Sequence, residues 1–489
     1  MNKAGATRFG RDWVYLAALL LGLLLLKAWL TRLAGLEMHF DEAQYWTWAQ
    51  RPDWSYATKG PLVAWLIAAS EGLFGHGGWQ VRLPGWIAAD LFLLVLYGFA
   101  RDLWQSRAAG WWALLLGLTT PLYAVLGMVM TTDILLFLCW SLGLWAAYRA
   151  LILERPLYWY GLGAAVGLGV LTKLSIGLLP AAVGLFVLLH PAYRRWLGNP
   201  HVWGGILLLL CIASPVIGWN AQHGWVMFRH DAGHIAQQGW SLARVGEFLL
   251  GQWLVLSPLV VALAVGRLWR RPVAPAGRFL WIVSLGCWVF FLLKAASAHI
   301  LLNWPGAVYI GFVVLFAGEI ERLSRRQRGL LLGGLGSSLL IVLLALFPAW
   351  FGLSEAKMGL KKLRAWRAPV TQLAEQAGPV DFLLAPDYRL ASELWFYWPT
   401  RTRVYLWGNP GRRFNQYDIW AGPERERGGT GLFVSEQGYR LVWLAQDFAR
   451  CDKLAPVRAR TPHGERVRTL YAVRCQGFKP VETFKPGRF

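Results

Sequence analysis

The chain has 489 residues, of which 56% are hydrophobic, and it carries a formal net charge of +22. Its mean hydropathy of +0.39 comes from apolar runs, long enough to cross a bilayer, that recur along the first three quarters. The basic residues fall in short clusters between these runs. This argues against the basic face of a nucleic-acid-binding protein and favours contacts with lipid headgroups. We therefore predict a polytopic α-helical membrane protein.

Eleven apolar segments predict membrane spans. They run at about 12–34, 79–100, 108–126, 131–151, 157–172, 174–190, 201–219, 246–266, 279–295, 301–318 and 329–351. The first is long enough to span and has no small-residue cleavage site after it, so it is expected to remain as a helix. Along the chain, arginine-rich loops between the predicted spans alternate with loops that hold few basic residues. By the positive-inside rule, the amino terminus is then cytoplasmic and the carboxy-terminal region lies outside.

The first external loop, residues 35–78, has a mixed character. It is too polar to span a membrane and too rich in Trp, Leu and Phe to be a free loop. Pro52 and Pro61 divide it, and side chains with helical spacing lie on either side of these breaks. We therefore predict interfacial helices that lie along the outer membrane surface.

At about residue 352 the composition changes to that of a soluble protein. Helix candidates lie at 358–377 and 390–398, and strand candidates near 380–385, 403–407, 431–435 and 467–474. We predict a transmembrane domain at 1–351 and a soluble α/β domain at 352–489. Cys451 and Cys475 are the two cysteines of the soluble part, and an oxidising location favours a disulfide between them.

Two adjacent carboxylates, Asp41 and Glu42, follow the first apolar run where the membrane meets water. Charged groups at that depth are costly unless they bind or react, so the pair predicts a functional site. Neighbours on a helix point in different directions, and we expect one to be catalytic and the other to support it. Asp41 is favoured because it stands at the helix start, although a carboxylate there is also a good helix cap.

Three further ionisable residues are expected at the same level of the membrane. Lys59 lies in the same loop, Asp133 at the outer end of the fourth span, and Lys173 between the fifth and sixth spans. Singly, Asp133 is equally explained as a helix cap and Lys173 as a lysine that extends to the interface. Together with Asp41 they predict one cavity facing the outer leaflet, with carboxylates for base chemistry and lysines for phosphate.

Other polar residues near this level are candidates for substrate binding. They are Tyr45, Tyr56, His299, Asn303 and Trp304, with Lys294 as a further cation. For His299, a catalytic acid and an interfacial, solvated ring both remain open. The sequence contains no Walker loop, no His-x-Glu-x-x-His pattern and no Gly-x-Ser-x-Gly elbow. The glycines between 161 and 169 lie in an apolar span and indicate close helix packing.

The order and spacing of these motifs resemble the GT-C superfamily of integral-membrane glycosyltransferases, in the bacterial branch related to protein O-mannosyltransferases and the lipid A aminoarabinose transferase. That branch has an acidic pair in the first external loop, a Lys-Pro-Pro-Leu segment, an acid at the end of a later span and a Leu-Thr-Lys motif. The matching residues here are Asp41-Glu42, Lys59-Gly60-Pro61-Leu62, Asp133 and Leu171-Thr172-Lys173. Gly60 replaces the usual first proline, which we expect to loosen the loop, and Gln44 stands where arginine is common.

The resemblance implies an inverting transfer of a sugar from a polyprenyl phosphate, expected to be undecaprenyl phosphate, to lipid A or another envelope acceptor at the periplasmic face of the bacterial inner membrane. Asp41, with Glu42 and Asp133, would provide the base, and Lys59 and Lys173 would hold the donor phosphate. No catalytic metal or other cofactor is implied, and the protein is expected to be a monomer. Two other classes stay open: a lipid-linked sugar transporter or flippase, although no inverted repeats are visible, and a non-catalytic membrane scaffold.

Overall fold

A computed structural model describes residues 3–235, 239–269, 274–407, 412–438 and 446–479. The first part of the chain is built from helices. In chain order they are α1 (Lys3–Leu33), α2 (Phe40–Ala49), α3 (Leu62–Phe74), α4 (Gly78–Trp104), α5 (Arg107–Thr119), α6 (Pro121–Leu126), α7 (Thr132–Leu151), α8 (Tyr158–Val170), α9 (Leu178–Leu189), α10 (Pro200–Gln222), α11 (Val226–Ile235), α12 (Leu242–Leu256), α13 (Pro258–Leu268), α14 (Pro275–Ser297), α15 (Tyr309–Glu319) and α16 (Arg325–Leu346).

The helices have the length and apolarity of a membrane protein. Among the described residues, six are long and apolar enough to cross a membrane, or up to eight if each of two bent helix pairs is one span. One bent pair is α12 and α13, which meet at 101°. Two predicted spans are short helices here, since α8 has 13 residues and α15 has 11. The helical membrane class is therefore confirmed, whereas the count of eleven spans is not.

The first external loop forms two helices, α2 and α3, on either side of the proline breaks. Every residue of α2 from Glu42 to Ala49 is buried, because α18 (Tyr388–Tyr397) from the carboxy-terminal part packs over it. The α2 helix is therefore covered by protein, and its predicted position along the membrane surface stays a prediction. The far end of α3 is open, with 77% of Leu73 exposed.

The carboxy-terminal part contains a six-stranded mixed sheet beside short helices. Its elements are α17 (Arg367–Ala377), β1 (Phe382–Ala385), α18, β2 (Val404–Leu406), α19 (Gln416–Ile419), β3 (Gly431–Ser435), β4 (Arg450–Lys453), β5 (Val457–Arg460) and β6 (Arg466–Gln476). The strands follow the order β2-β1-β3-β6-β4, with β5 also paired to β6. The β1 strand is parallel to β2 and β3, while β6 is antiparallel to β3, β4 and β5.

The four predicted strands are confirmed as β1, β2, β3 and β6, and the second predicted helix is α18. The helix expected from residue 358 begins only at Arg367, since Gly359 and Ala365 before it have positive φ angles. The sequence did not predict β4 and β5. Cys451 of β4 lies directly opposite Cys475 of β6, and the predicted disulfide joins them.

Aromatic packing connects the carboxy-terminal part to the first external loop. The Trp46 ring of α2 lies 5.8 Å from that of Trp395 and 5.1 Å from that of Phe396, both on α18. The backbone N–H of Met38 donates to the Tyr397 hydroxyl at 2.7 Å. Residues on both sides of position 351 thus belong to one apolar core, and the domain boundary at this position stays a prediction.

Candidate active site

A cavity of about 850 Å³ lies where α2, α7, α11, α14 and the carboxy-terminal part meet. Part of its wall is apolar, formed by residues that include Phe228, Phe290, Phe291, Ile300 and Leu301. Its polar lining residues include Asp41, Gln44, Tyr45, Lys59, Asp133, Lys173, His230, Asp231, Lys294, Asn303, Tyr388 and Arg413. The cavity therefore offers carboxylates and cations beside a surface suited to hydrocarbon.

Asp41 faces this cavity from the first turn of α2. The residue that caps the helix is His39, whose side chain accepts a hydrogen bond from the Asp41 backbone N–H at 3.2 Å. The alternative that Asp41 serves as the cap is thus excluded, and 41% of its side chain stays exposed. The surrounding protein removes water and raises the pKa of the Asp41 carboxyl, while the nearby charges of His39 and Lys59 act in the opposite direction.

Glu42 points away from the cavity into a sealed junction. Its two oxygens accept hydrogen bonds from the Arg82 guanidinium at 2.8 and 2.7 Å, and both side chains are 1% exposed. One oxygen also accepts from the Met130 backbone N–H at 2.9 Å, and the other from the His39 N–H at 3.0 Å. Glu42 does not line the cavity, and its part in catalysis stays a prediction.

Asp133 and Lys173 form an ion pair inside the cavity. The Lys173 Nζ donates to one Asp133 oxygen at 2.8 Å, and the Asn303 amide donates to the other at 2.9 Å. The cap of α7 is Thr131, which accepts from the Ile134 N–H. Neither alternative explanation therefore holds. Asp133 does not cap α7, and Lys173 pairs with Asp133 rather than extending to the interface.

Lys59 reaches the cavity from the loop before α3, and Gly60 fixes its course. A Cβ atom at Gly60 would lie 2.3 Å from the carbonyl of Leu171, so a side chain would not fit there. The Leu62 N–H donates to the same carbonyl at 2.9 Å. The expected loosening is therefore wrong: Gly60 lets the Lys59 loop pack tightly against the segment that carries Lys173.

The other substrate-binding candidates divide into two groups. Tyr45, Asn303 and Trp304 line the cavity, and their role in substrate binding stays a prediction. Tyr56 does not: it is fully buried, stacks on Trp48, and its hydroxyl donates to backbone carbonyls. His299 is exposed and is also absent from the lining, because the chain turns after α14 and directs the flanking residues inward instead.

Sequence reasoning missed several cavity residues. His230 and Asp231 come from α11, which lies between two predicted spans, and Tyr388 and Arg413 come from the carboxy-terminal part. The only signal for Asp231 was its position as an acid between two predicted spans. Within the described ranges, no group of three or more His, Cys, Asp or Glu residues is arranged to hold a metal ion. The absence of a catalytic metal remains a prediction.

The structure combines a helical membrane body, an acid- and lysine-lined cavity and a small α/β unit. Comparison with solved structures agrees in fold. The crystal structure of ArnT from Cupriavidus metallidurans bound to undecaprenyl phosphate aligns with a TM-score of 0.67 at 19% identity, covering 95% of this chain and 98% of that one. ArnT in the apo state aligns with a TM-score of 0.66 at 17% identity, with the same coverage.

Sequence comparisons give the closer relationship. Residues 58–219 match the family model of dolichyl-phosphate-mannose-protein mannosyltransferases. The lipid A galacturonosyltransferase RgtD of Rhizobium johnstonii is 27% identical over 399 residues, which are 77% of this chain and 81% of that protein. The undecaprenyl phosphate-α-4-amino-4-deoxy-L-arabinose arabinosyl transferase of Edwardsiella ictaluri is 27% identical over 59% of this chain and 56% of that protein. The predicted resemblance is confirmed: this chain resembles the GT-C glycosyltransferases related to ArnT and the O-mannosyltransferases.

Proposed function

We propose that this protein is an inverting glycosyltransferase of the bacterial inner membrane, which moves a sugar from undecaprenyl phosphate to lipid A or another envelope acceptor at the periplasmic face. The names of its relatives support both substrate classes: RgtD and the arabinosyl transferases act on lipid A or use undecaprenyl phosphate-linked sugars. The observation that carries the proposal is the placement of Asp41 in one cavity with Lys59 and Lys173, beside an apolar wall.

The proposed chemistry follows from these positions. The donor is a phosphate diester with one negative charge, and its phosphate becomes a leaving group when cations neutralise it. Lys59 and Lys173 would stabilise the charge that develops on the phosphate in the transition state. Asp41 would take the proton from the acceptor hydroxyl as the oxygen attacks the anomeric carbon from the opposite face, which inverts the configuration.

Two neighbours would support this chemistry without contacting the reacting atoms. Asp133 orients Lys173 through the 2.8 Å hydrogen bond. Glu42 binds both the start of α2 and the Met130 N–H shortly before α7, so it would keep Asp41 and Asp133 at a fixed separation. We propose no catalytic metal and a monomeric protein.

The proposed topology has eleven spans, a cytoplasmic amino terminus and a periplasmic domain at 352–489. The charge pattern supports it, and so does the disulfide, because such bonds persist in oxidising compartments. A membrane-impermeant maleimide applied to intact cells tests this arrangement. Cys451 and Cys475 should be labelled only after reduction. Labelling that requires cell lysis, and no reductant, would place them in the cytoplasm.

Purified protein in detergent provides the direct test of activity. Given undecaprenyl phosphate carrying a labelled sugar and a lipid A acceptor, it should form glycosylated acceptor and free undecaprenyl phosphate. Movement of the intact donor across vesicles without cleavage would indicate a flippase. Lack of both reactions with every envelope acceptor, combined with full function of the Asp41→Asn variant in cells, would indicate a scaffold.

A further inference from the structure

A carboxylate that the proposed reaction does not use lies beside the proposed phosphate-binding lysine. Oδ1 of Asp231 is 3.9 Å from Nζ of Lys59, and both side chains are partly exposed, at 27% and 20%. The Nδ1 atom of His230 lies 3.2 Å from the same carboxylate oxygen. Both His230 and Asp231 line the cavity from α11.

The chain holds α11 firmly at its start, which fixes the position of Asp231. The Met227 N–H donates to the Asn220 side-chain oxygen at 3.1 Å, and Met227 and Asn220 are almost completely buried. Asp231 follows Met227 by about one helical turn. Burial opposes its ionisation, but the hydrogen bond from His230 and the charge of Lys59 outweigh it and lower the pKa of Asp231 below its usual value. The carboxylate is therefore ionised at neutral pH.

The proposed reaction makes product release difficult at the lysines that bind the phosphate. Transfer breaks the bond between the anomeric carbon and a phosphate oxygen, so the diester monoanion becomes a phosphate monoester. The second ionisation of a phosphate monoester has a pKa of about 6, so near neutral pH the product carries more negative charge than the donor. Two lysines that stabilise the leaving phosphate would therefore hold the product more strongly than the substrate.

We propose that Asp231 is a counter-ion that competes with phosphate for Lys59 and thereby promotes the release of polyprenyl phosphate after transfer. This inference rests on the function proposed above. The geometry distinguishes Asp231 from Asp133, whose oxygens are already engaged by Lys173 and Asn303 at 2.8 and 2.9 Å. At 3.9 Å, Lys59 and Asp231 are near enough to attract each other but are not locked by a hydrogen bond. Lys59 can therefore exchange the carboxylate for a phosphate.

The test compares wild-type protein with Asp231→Asn in detergent, using undecaprenyl phosphate as the probe. The variant should bind undecaprenyl phosphate about twofold to fivefold more tightly, the range expected when one partly exposed charge partner is removed. Its first turnover should not be slower than that of the wild type. Its steady-state rate should fall after a burst of about one product per enzyme, because product release becomes limiting. Asp231→Glu keeps the charge and should show no burst.

A double-mutant cycle with Lys59→Ala separates this role from a structural one. If Asp231 acts through Lys59, Asp231→Asn should leave the affinity for undecaprenyl phosphate unchanged in the Lys59→Ala background. Unchanged or weaker binding by Asp231→Asn alone, or equal tightening in both backgrounds, would overturn the inference while the transferase function stands. Failure of the wild-type protein to bind undecaprenyl phosphate at all would overturn the donor class and this inference together.

Discussion

Asp41 and Glu42 are joined by one peptide bond, yet they lie in two different environments. Glu42 accepts four hydrogen bonds, two of them from Arg82, and is sealed from solvent. Asp41 lies 3.5 Å from the His39 ring and exposes 41% of its side chain to the cavity. A carboxylate whose partners are all protein groups stabilises the fold, whereas one with open oxygens is available to a substrate. The sealed junction and the cavity should therefore respond differently to mutation.

The largest effect should come from opening the sealed junction. Arg82→Ala leaves the Glu42 carboxylate buried without its cation, and breaking such a pair costs about 3–5 kcal/mol of folding free energy. We expect strongly reduced yield and a large drop in the thermal unfolding temperature in detergent. The matched control is Arg195→Ala, which removes an exposed ion pair to Glu154 and should change stability by less than about 1 kcal/mol. Equal stability of the two variants would show that the junction is not structural.

The next effect should be confined to the cavity. Asp41→Asn keeps the size of the side chain, and α2 keeps its cap because His39 and Glu42 supply it. Stability and donor binding should remain close to wild type, while turnover falls about a hundredfold or more, as expected when a positioned base is lost. Turnover is measured as labelled acceptor formed per enzyme. Near-normal turnover of Asp41→Asn, together with inactivity of Asp133→Asn, would assign the base to Asp133.

The sequence predicts only part of the difference between Asp41 and Glu42. The presence of four of the residues in one cavity was predictable because each lies in a short motif beside a predicted span: Asp41, Lys59, Asp133 and Lys173. The partner of Glu42 was not, since Arg82 is 40 residues away and lies in an apolar helix. Helical periodicity predicts that the two carboxylates point in different directions. It does not predict which of them faces the cavity.

The same limit applies to the carboxy-terminal part. Its predicted strands β1 and β3 are fully buried apolar runs, which sequence patterns reveal. The β4 strand is mostly exposed and lacks that pattern, so only its pairing with β6 defines it. The contribution of Tyr388 and Arg413 to the cavity depends on the packing of α18 on α2, which is a contact between distant parts of the chain.

A smaller effect is expected at Lys59. Lys59→Ala removes a cation from the proposed phosphate site, so the KM for the donor should rise and turnover should fall together, by about tenfold in turnover over KM. Lys59→Arg should rescue part of the loss because the charge returns. Donor titrations of the variants measure this directly. An unchanged donor affinity in Lys59→Ala would move the phosphate site towards Lys173.

The smallest effect is a displacement of the pH profile, and it tests whether the open carboxylate is the base. Burial raises the pKa of Asp41, whereas the charges of His39 and Lys59 lower it, and the net shift is upward. Only the ionised carboxylate accepts a proton, so turnover over KM should fall as the pH drops through this raised pKa. The acid limb should therefore lie above the pH at which an ordinary aspartic acid titrates.

Removing one of the opposing charges gives the sign of the shift. In Lys59→Ala the acid limb of the residual activity should move to a still higher pH, because a cation that favours the ionised form of Asp41 is gone. If Asp231 controlled the acid limb instead, the limb would lie below the pH at which an ordinary aspartic acid titrates, because the pKa of Asp231 is lowered. The profiles of wild type, Lys59→Ala and Asp231→Asn, measured with saturating acceptor, distinguish the two carboxylates. An acid limb that moves with Asp231→Asn but not with Lys59→Ala would contradict the role of Asp41 as the base.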